Sequence, residues 1–318
     1  MRSKEKIPQT EEKGIILSQI NLCLQEMKEI RYNLDKWNKL TLEQMKEFAA
    51  EVKELQQKKK RIEKGATAET IITGTNKETN QEIEFNLEAE RQTWQTFYEN
   101  HNFKDKVEIP ELFLTEEQIK EIQTLIEQGF VDKCAVIPDH LTYQELLPEM
   151  AKEYEETYQG SNFKEDKGFD ELDKLETPQL RSGQANQQYR LIFFKKAQNL
   201  GDDTILKQTK GKSPDKMDEY LKEINKKLNT DIQGISLKDY LVTQRQIFET
   251  ENKHMDEQGW TWCLKSRFKN SGRVVHAGWS PDHRQLQVHS SDASGSGSHS
   301  GSRLSRSFPA EGGTSGIK

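Results

Sequence analysis

From Asn270 to Ala310 the chain contains neither lysine nor glutamate, although both recur throughout the residues before it. Serine, glycine, histidine, aspartate and arginine stand in their place. Four of the seven histidines (His276, His283, His289 and His299) fall inside this window. The stretch Ser294 to Ser302, SGSGSHSGS, has the composition of a flexible tail. It is bracketed, however, by short β-prone pieces. Trp260 to Leu264, Val274 to Trp279 and Leu286 to Val288 precede it, and Leu304 to Phe308 follows. A tail has no need to return to ordered-looking sequence. Pro281 and Asp282 supply a turn between Val274–Trp279 and Leu286–Val288. A run of short antiparallel strands following helices implies an α+β domain.

The rest of the chain sets the frame. Its 318 residues suffice for one or two domains, yet only 32% are apolar and 31% are charged. Much of it must therefore be solvated helix or loop. A net charge of -6 argues against nucleic acid as a partner, because phosphate binding needs a concentrated basic face. Cys23, Cys134 and Cys263 are odd in number and far apart, so no disulfide framework or CxxC metal site is readable. The N-terminus, MRSKEKIPQTEEKG, lacks the apolar core of a signal peptide, and no stretch is apolar for long enough to insert into a bilayer. A cytoplasmic, reducing location is the expectation.

Residues 1–65 are expected to form a coiled-coil-like helical hairpin. Ile16, Ile20, Cys23, Met27, Ile30, Leu34 and Trp37 alternate steps of four and three, which places them on one helical stripe. Thr41 with Gln44 opens a second helix, and Met45, Phe48, Val52 and Leu55 repeat the spacing. Residues 12–64 are either a solvated spacer or a self-association arm. Residues 66–105 are expected to be a linker holding a small β-hairpin, with Asn76 and Asn80 in its turn. Thr115 with Gln118 and Thr142 with Glu145 are capping boxes that open short helices. Val131–Ile137 and Tyr189–Phe194 read as strands, and Met217–Leu228 and Leu237–Phe248 as helices, the last capped by Ser236. Residues 160–188 and 199–214 read as loops. The α+β domain is expected over 106–309, with a tail at 310–318.

The genetic code gives the window from Asn270 a second meaning. Ser, Gly, Asp, His, Ala and Arg are all reachable from an Asn codon, AAC or AAT, by changing its two adenines. Lys, Glu, Gln, Met and Trp are not. Adenine-directed mutagenesis of an Asn-rich template would leave such a window, with Trp279, Gln285 and Gln287 as unmutated framework. Around these residues, SRFKNSGRVVHAGWSPDHRQLQVHSSDASGSGSHSGSRLSRSF resembles the variable regions of target proteins of diversity-generating retroelements, particularly those of small-genome candidate-phyla bacteria. The matching frame is Val274, Ala277, Trp279, Arg284, Leu286 and Val288, then Gly301, Ser302, Arg303, Ser305 and Phe308. The run from Gly234 to Arg267 also resembles the helix and strand that precede such regions.

The resemblance implies a C-type-lectin-like or formylglycine-generating-enzyme-like fold, variable over about 270–308. Framework residues would pack the core, while those between them face a ligand, most simply a protein. Alternation along a strand would turn Trp279 and Val288 inward and Gly278, Ser280 and His289 outward. The expected ligand-binding residues are His276, Gly278, Ser280, His283, His289, Ser290, Ser291, Asp292, Ser294, Ser296 and His299, sharing one solvent-facing patch. Large polar and aromatic residues are scarce at 294–302, so this variant is expected to bind weakly. The competing reading is a structural or interaction protein with a coiled-coil arm and a flexible C-terminal tail.

Catalytic chemistry is not evident in the sequence, and no cofactor is expected. The histidine spacing 276-283-289-299 fits no metal-binding pattern. Cys263, between Trp262 and Leu264, reads as a buried inert thiol where an enzyme of the formylglycine-generating type would need two cysteines. Trp260, Trp262 and Trp279 read as core aromatics rather than a stacking platform.

Overall fold

The computed structural model describes residues 71–152, 157–176 and 188–310, together with Ser18, residues 21–25, Thr41, Val52 and Lys59. The chain divides into two compact units, Met1–Ala68 and Glu69–Lys318. In the first, residues 21–25 are helical. The remainder of the expected hairpin over 1–65, and of the self-association arm at 12–64, lies outside the described residues, as do 311–318.

The second unit is α+β. It begins with a hairpin of β1 (Ile71–Thr75) and β2 (Glu82–Asn86). The Asn76 side chain closes the turn by accepting from the Glu78 and Thr79 N–H groups, and Asn80 takes the left-handed conformation that asparagine tolerates. Asn86 then caps α1 (Leu87–Asn100), which buries Leu87, Trp94, Phe97 and Tyr98. The Tyr98 hydroxyl donates to the Val136 carbonyl at 2.7 Å. Residues 71–105 are therefore part of the domain and not the linker expected at 66–105. Their apolar residues complete the common core.

Both capping boxes form. Thr115 and Gln118 open α2 (Glu116–Glu127), and Thr142 and Glu145 open α3 (Tyr143–Met150). Each satisfies two N–H groups that a helix start otherwise leaves without partners. Between them lies β3 (Lys133–Pro138). The stretch expected as a loop after Gly160 is instead β4 (Thr157–Gln159), α4 (Ser161–Glu165) and α5 (Gly168–Glu176), up to residue 176. Phe163 and Leu172 bury themselves, two anchors too sparse to print a periodic pattern. After β5 (Tyr189–Phe194), the expected 199–214 loop holds a 3-10 turn and the short α6 (Thr204–Lys207). Then come α7 (Pro214–Leu228), β6 (Gln233–Gly234) and α8 (Leu237–Glu251), the last opened by a Ser236–Asp239 capping box.

The remaining strands are β7 (Trp260–Arg267), β8 (Val274–Ser280), β9 (Gln285–Ser291), β10 (Ser300–Gly301) and β11 (Leu304–Pro309). They build two sheets. One has the order β3-β5-β11-β6, all antiparallel. The other has the order β10-β7-β8-β9-β4, with an antiparallel centre and parallel edges. The end of the described chain is thus an interior strand. Leu304 and Phe308 are buried, and the Ala310 N–H donates to the Tyr189 carbonyl at 2.9 Å. A loose tail over 294–310 does not describe this segment, and the domain continues through Ala310. Among the described residues, no helix is long and apolar enough to cross a membrane.

Candidate ligand-binding face

The β8–β9 hairpin directs alternate residues to two faces. Ser280 pairs with Gln285 and His276 with His289, so side chains alternate in step on the two strands. Val275, Ala277, Leu286, Val288 and Trp279 turn one way, and the first four are buried. Val274, His276, Gly278, Ser280, Gln285, Gln287, His289 and Ser291 turn the other, where Val274 and Gly278 are nevertheless buried. Trp279 is on the inward side as expected but only half-buried. Its ring stacks on His254 at 3.6 Å, and His254 stacks on Phe248 at 4.3 Å.

A buried ion pair holds the frame. Arg303 donates to both Asp256 carboxylate oxygens, at 2.9 and 3.1 Å, and to the Gln198 carbonyl at 3.1 Å. Both charged side chains are almost wholly inaccessible. Thr261 Oγ1 adds a 2.7 Å hydrogen bond to the same carboxylate. Such a pair tolerates the loss of neither partner, because the survivor becomes an uncompensated buried charge.

The outward face is a row of aromatic and imidazole rings. His276 and His289 face each other with centroids 5.4 Å apart and planes within 6°. Trp260 meets both edge-on, at 5.2 and 4.9 Å, and Trp262 meets His276 at 4.6 Å. Tyr158, from β4, continues the row at 5.4 Å from His289 and is 44% exposed. Burial pushes His276 down to about 3, helped by the neighbouring His289, and burial lowers His289 as well. Both imidazoles are therefore neutral at physiological pH. Trp262 Nε1, His276 Nδ1 and His289 Nε2 are sealed from water without a hydrogen-bond partner.

The expected patch does not assemble as one surface. His276, Ser280, His289 and Ser291 do share the outward face, all half-buried. Gly278 shares it but is buried. A Cβ there would lie 2.6 Å from the Gly259 carbonyl oxygen and 3.3 Å from the Trp260 ring. Gly278 is thus a backbone contact and not a display position. Ser290 belongs to the opposite face, is 2% exposed, and donates to the Asp166 carboxylate at 3.0 Å. The period of two along β9 puts it out of step with His289 and Ser291. His283 is exposed in the 281–284 turn. Asp292, Ser294, Ser296 and His299 are exposed in the 292–299 loop, which carries tight turns at 292–295 and 297–300. His283 and Asp292 sit at opposite ends of the hairpin, about 20 Å apart at 3.3–3.4 Å per residue. The His299 carbonyl accepts from the Trp260 N–H at 3.0 Å, which ties the end of the loop to the aromatic row.

Trp260, Trp262 and Tyr158 are residues of the face that sequence reasoning placed in the core or passed over. Trp262 is buried as expected, but among the imidazoles. A four-residue 281–284 turn implies the pairing of 276 with 289, so that contact was open to inference from the hairpin. The approach of Trp260 over Gly278 was not.

A cluster elsewhere resembles acid–base machinery. Burial pushes Glu176 up to about 7, and it accepts a 2.7 Å hydrogen bond from the Tyr143 hydroxyl. Tyr143 is fully buried, and burial also holds the nearby Cys263 thiol well above its usual value. Desolvation thus disfavours the charged form of each group and keeps the Cys263 thiol protonated, the opposite of what activates a thiolate nucleophile. Among the described residues, no group of three or more His, Cys, Asp or Glu side chains could hold a metal ion. Comparison with protein-family models, curated proteins and solved structures finds no match.

Proposed function

We propose that this protein is a diversified ligand-binding protein. In this reading it is the target of a diversity-generating retroelement, built on a C-type-lectin-like scaffold. It binds a protein ligand, acts in the cytoplasm and is not an enzyme. The observation that carries the reading is the division of the β8–β9 hairpin. Buried Val275, Ala277, Leu286 and Val288 alternate with outward His276, Ser280, His289 and Ser291, two residue types that both belong to the adenine-reachable set. Framework and display positions are thereby interleaved on a rigid sheet, with exposed loops at 281–284 and 292–299. The outward row offers aromatic contact area from Tyr158 and Trp260 beside small hydroxyl side chains, a combination common in paratopes.

The test is the surrounding DNA. A reverse-transcriptase gene and a near-copy of the segment encoding 270–308 should lie nearby. The copy should carry Asn codons at outward positions such as 276, 280 and 289, and should match the gene at 275, 277, 286 and 288. A complete genome without that repeat would end the proposal.

A further inference from the structure

β4 is the last strand of its sheet, and among the described residues only β9 pairs with it. The Gly160 N–H, just past the strand, donates to the Val288 carbonyl at 2.9 Å. Backbone groups of successive strand residues point to alternate edges. The N–H and C=O groups of Thr157 and Gln159 therefore point away from β9, and no described residue pairs with them. The strand is short, but Thr157, Tyr158 and Gln159 include no proline or charge of the kind that closes an edge to pairing.

Beside β4 opens a groove of about 570 Å³, a size typical of ligand pockets. Thr157 and Gln159 line it from β4, and Leu147 and Pro148 line it from α3, with Ala151 one turn past Leu147. Phe169 adds a half-buried ring and Lys167 a charge. Asp170, on the same rim, is engaged by Gln144 Nε2 at 3.0 Å. Lys167 is exposed and has no ion-pair partner among the described residues. It holds a left-handed backbone, φ 58°, as does Gly168 after it at φ 42°. A left-handed lysine is strained, and strain of this kind collects at binding sites.

We propose that the β4 edge and its groove dock an extended peptide segment of a protein partner, apolar at alternate positions and acidic near Lys167. The unpaired groups of Thr157 and Gln159 alternate donor and acceptor, which is the complement of another extended backbone. Every second side chain of an added strand shares the face of Thr157 and Gln159 and enters the groove, against Leu147, Ala151 and Phe169. The side chains between share the face of Tyr158, which is 44% exposed. The edge thus holds the backbone, and the groove selects the side chains. The sequence concealed this site because its walls come from three separate segments. None of its residues lies in the 270–308 window, so the proposal stands independently of the diversified-binder reading.

The test uses the full chain, with random peptides displayed on phage as the probe. Enriched sequences should be apolar at alternate positions and carry an acidic residue. A selected peptide, made synthetically, should lose affinity on N-methylation at every second residue and keep it at the residues between, a readout that needs no protein variant to fold. Gln159→Pro removes one outward N–H and no bond to β9, and should weaken binding by about tenfold or more. Ala151→Trp, which fills the groove from the helix side, should weaken it as well. No enrichment over the Gln159→Pro protein, uniform sensitivity to N-methylation, or unchanged affinity in Ala151→Trp would overturn the proposal.

Discussion

Replacing His276 with asparagine should make the domain less sensitive to acid. Burial takes this imidazole from 6.5 down to about 3, because an imidazolium ion among Trp260, Trp262 and His289 would lose its hydration and gain no anion. The unfolded chain therefore binds a proton on His276 over a range in which the folded chain does not. The sign follows directly. The contribution is complete above the unfolded value of 6.5 and is lost progressively as pH falls towards about 3. At about 1.4 kcal/mol per tenfold, the full gap corresponds to at most about 4.8 kcal/mol, and about 2.7 kcal/mol of that is lost by pH ~4.5. The ring is only half-buried, so solvent screening brings the working figure nearer 1–2 kcal/mol. Urea unfolding of the wild type and H276N at pH 7.5 and pH 4.5 isolates the effect, because the carboxylates and His254 titrate in both proteins. H276N should lose less stability between the two conditions by that margin. An equal loss in the two proteins would refute the claim that burial holds His276 neutral.

Gly278→Asn should destabilise by about 1–3 kcal/mol, since the new Cβ would press on the Gly259 carbonyl 2.6 Å away. Ser280→Asn on the same face should stay within about 0.5 kcal/mol. Thermal denaturation decides, and equal effects would mean that Gly278 is not locked. Arg303→Met should cost about 3–5 kcal/mol by stranding the inaccessible Asp256 carboxylate. Adding Asp256→Asn, which removes the charge and tolerates the left-handed backbone at this position, should recover part of that loss in chemical denaturation, and no recovery would count against the ion-pair account. Trp279→Ala should cost about 2 kcal/mol, below the roughly 3–5 typical of a fully buried aromatic, because the ring is half-exposed and held by the His254 stack. A melting point indistinguishable from wild type would show that the stack contributes nothing.

Local chemistry was legible in the sequence, and long-range pairing was not. The starts of α2, α3 and α8 followed from Thr115, Thr142 and Ser236, because a capping side chain bonds within its own first turn. β5 and β8 followed from unbroken β-prone runs. α1 was missed because its buried Trp94, Phe97 and Tyr98 sit in a polar context that read as linker. α4 and α5 were missed because each is anchored by one or two apolar residues. The two-residue β10 and three-residue β4 carry no periodic signal, and their parallel partners lie far off in sequence. At the site, alternation correctly turned Ser280 and His289 outward. The same rule, applied through Ser290, would have excluded it. Gly278 resisted any sequence argument, since its constraint comes from a carbonyl in the loop before β7.

Side-chain identity alone cannot define a display surface on this scaffold. Of the eleven residues expected to meet a ligand, Gly278 and Ser290 are bound into the framework by a backbone approach and by Asp166. His276 and His289 are in ring contact with each other, so substitution at either changes the surroundings of its partner. Trp260, outside the compositional window, touches both. Variation at 276 and 289 would therefore act as a coupled pair on a fixed aromatic floor. Ser280 lies half-buried on the same face, and His283, Asp292, Ser294, Ser296 and His299 are exposed in loops. If ligand choice is diversified here, affinity should depend on the combination at 276 and 289 and change more nearly additively with the loop positions. Double-mutant cycles on any ligand found can separate those two behaviours.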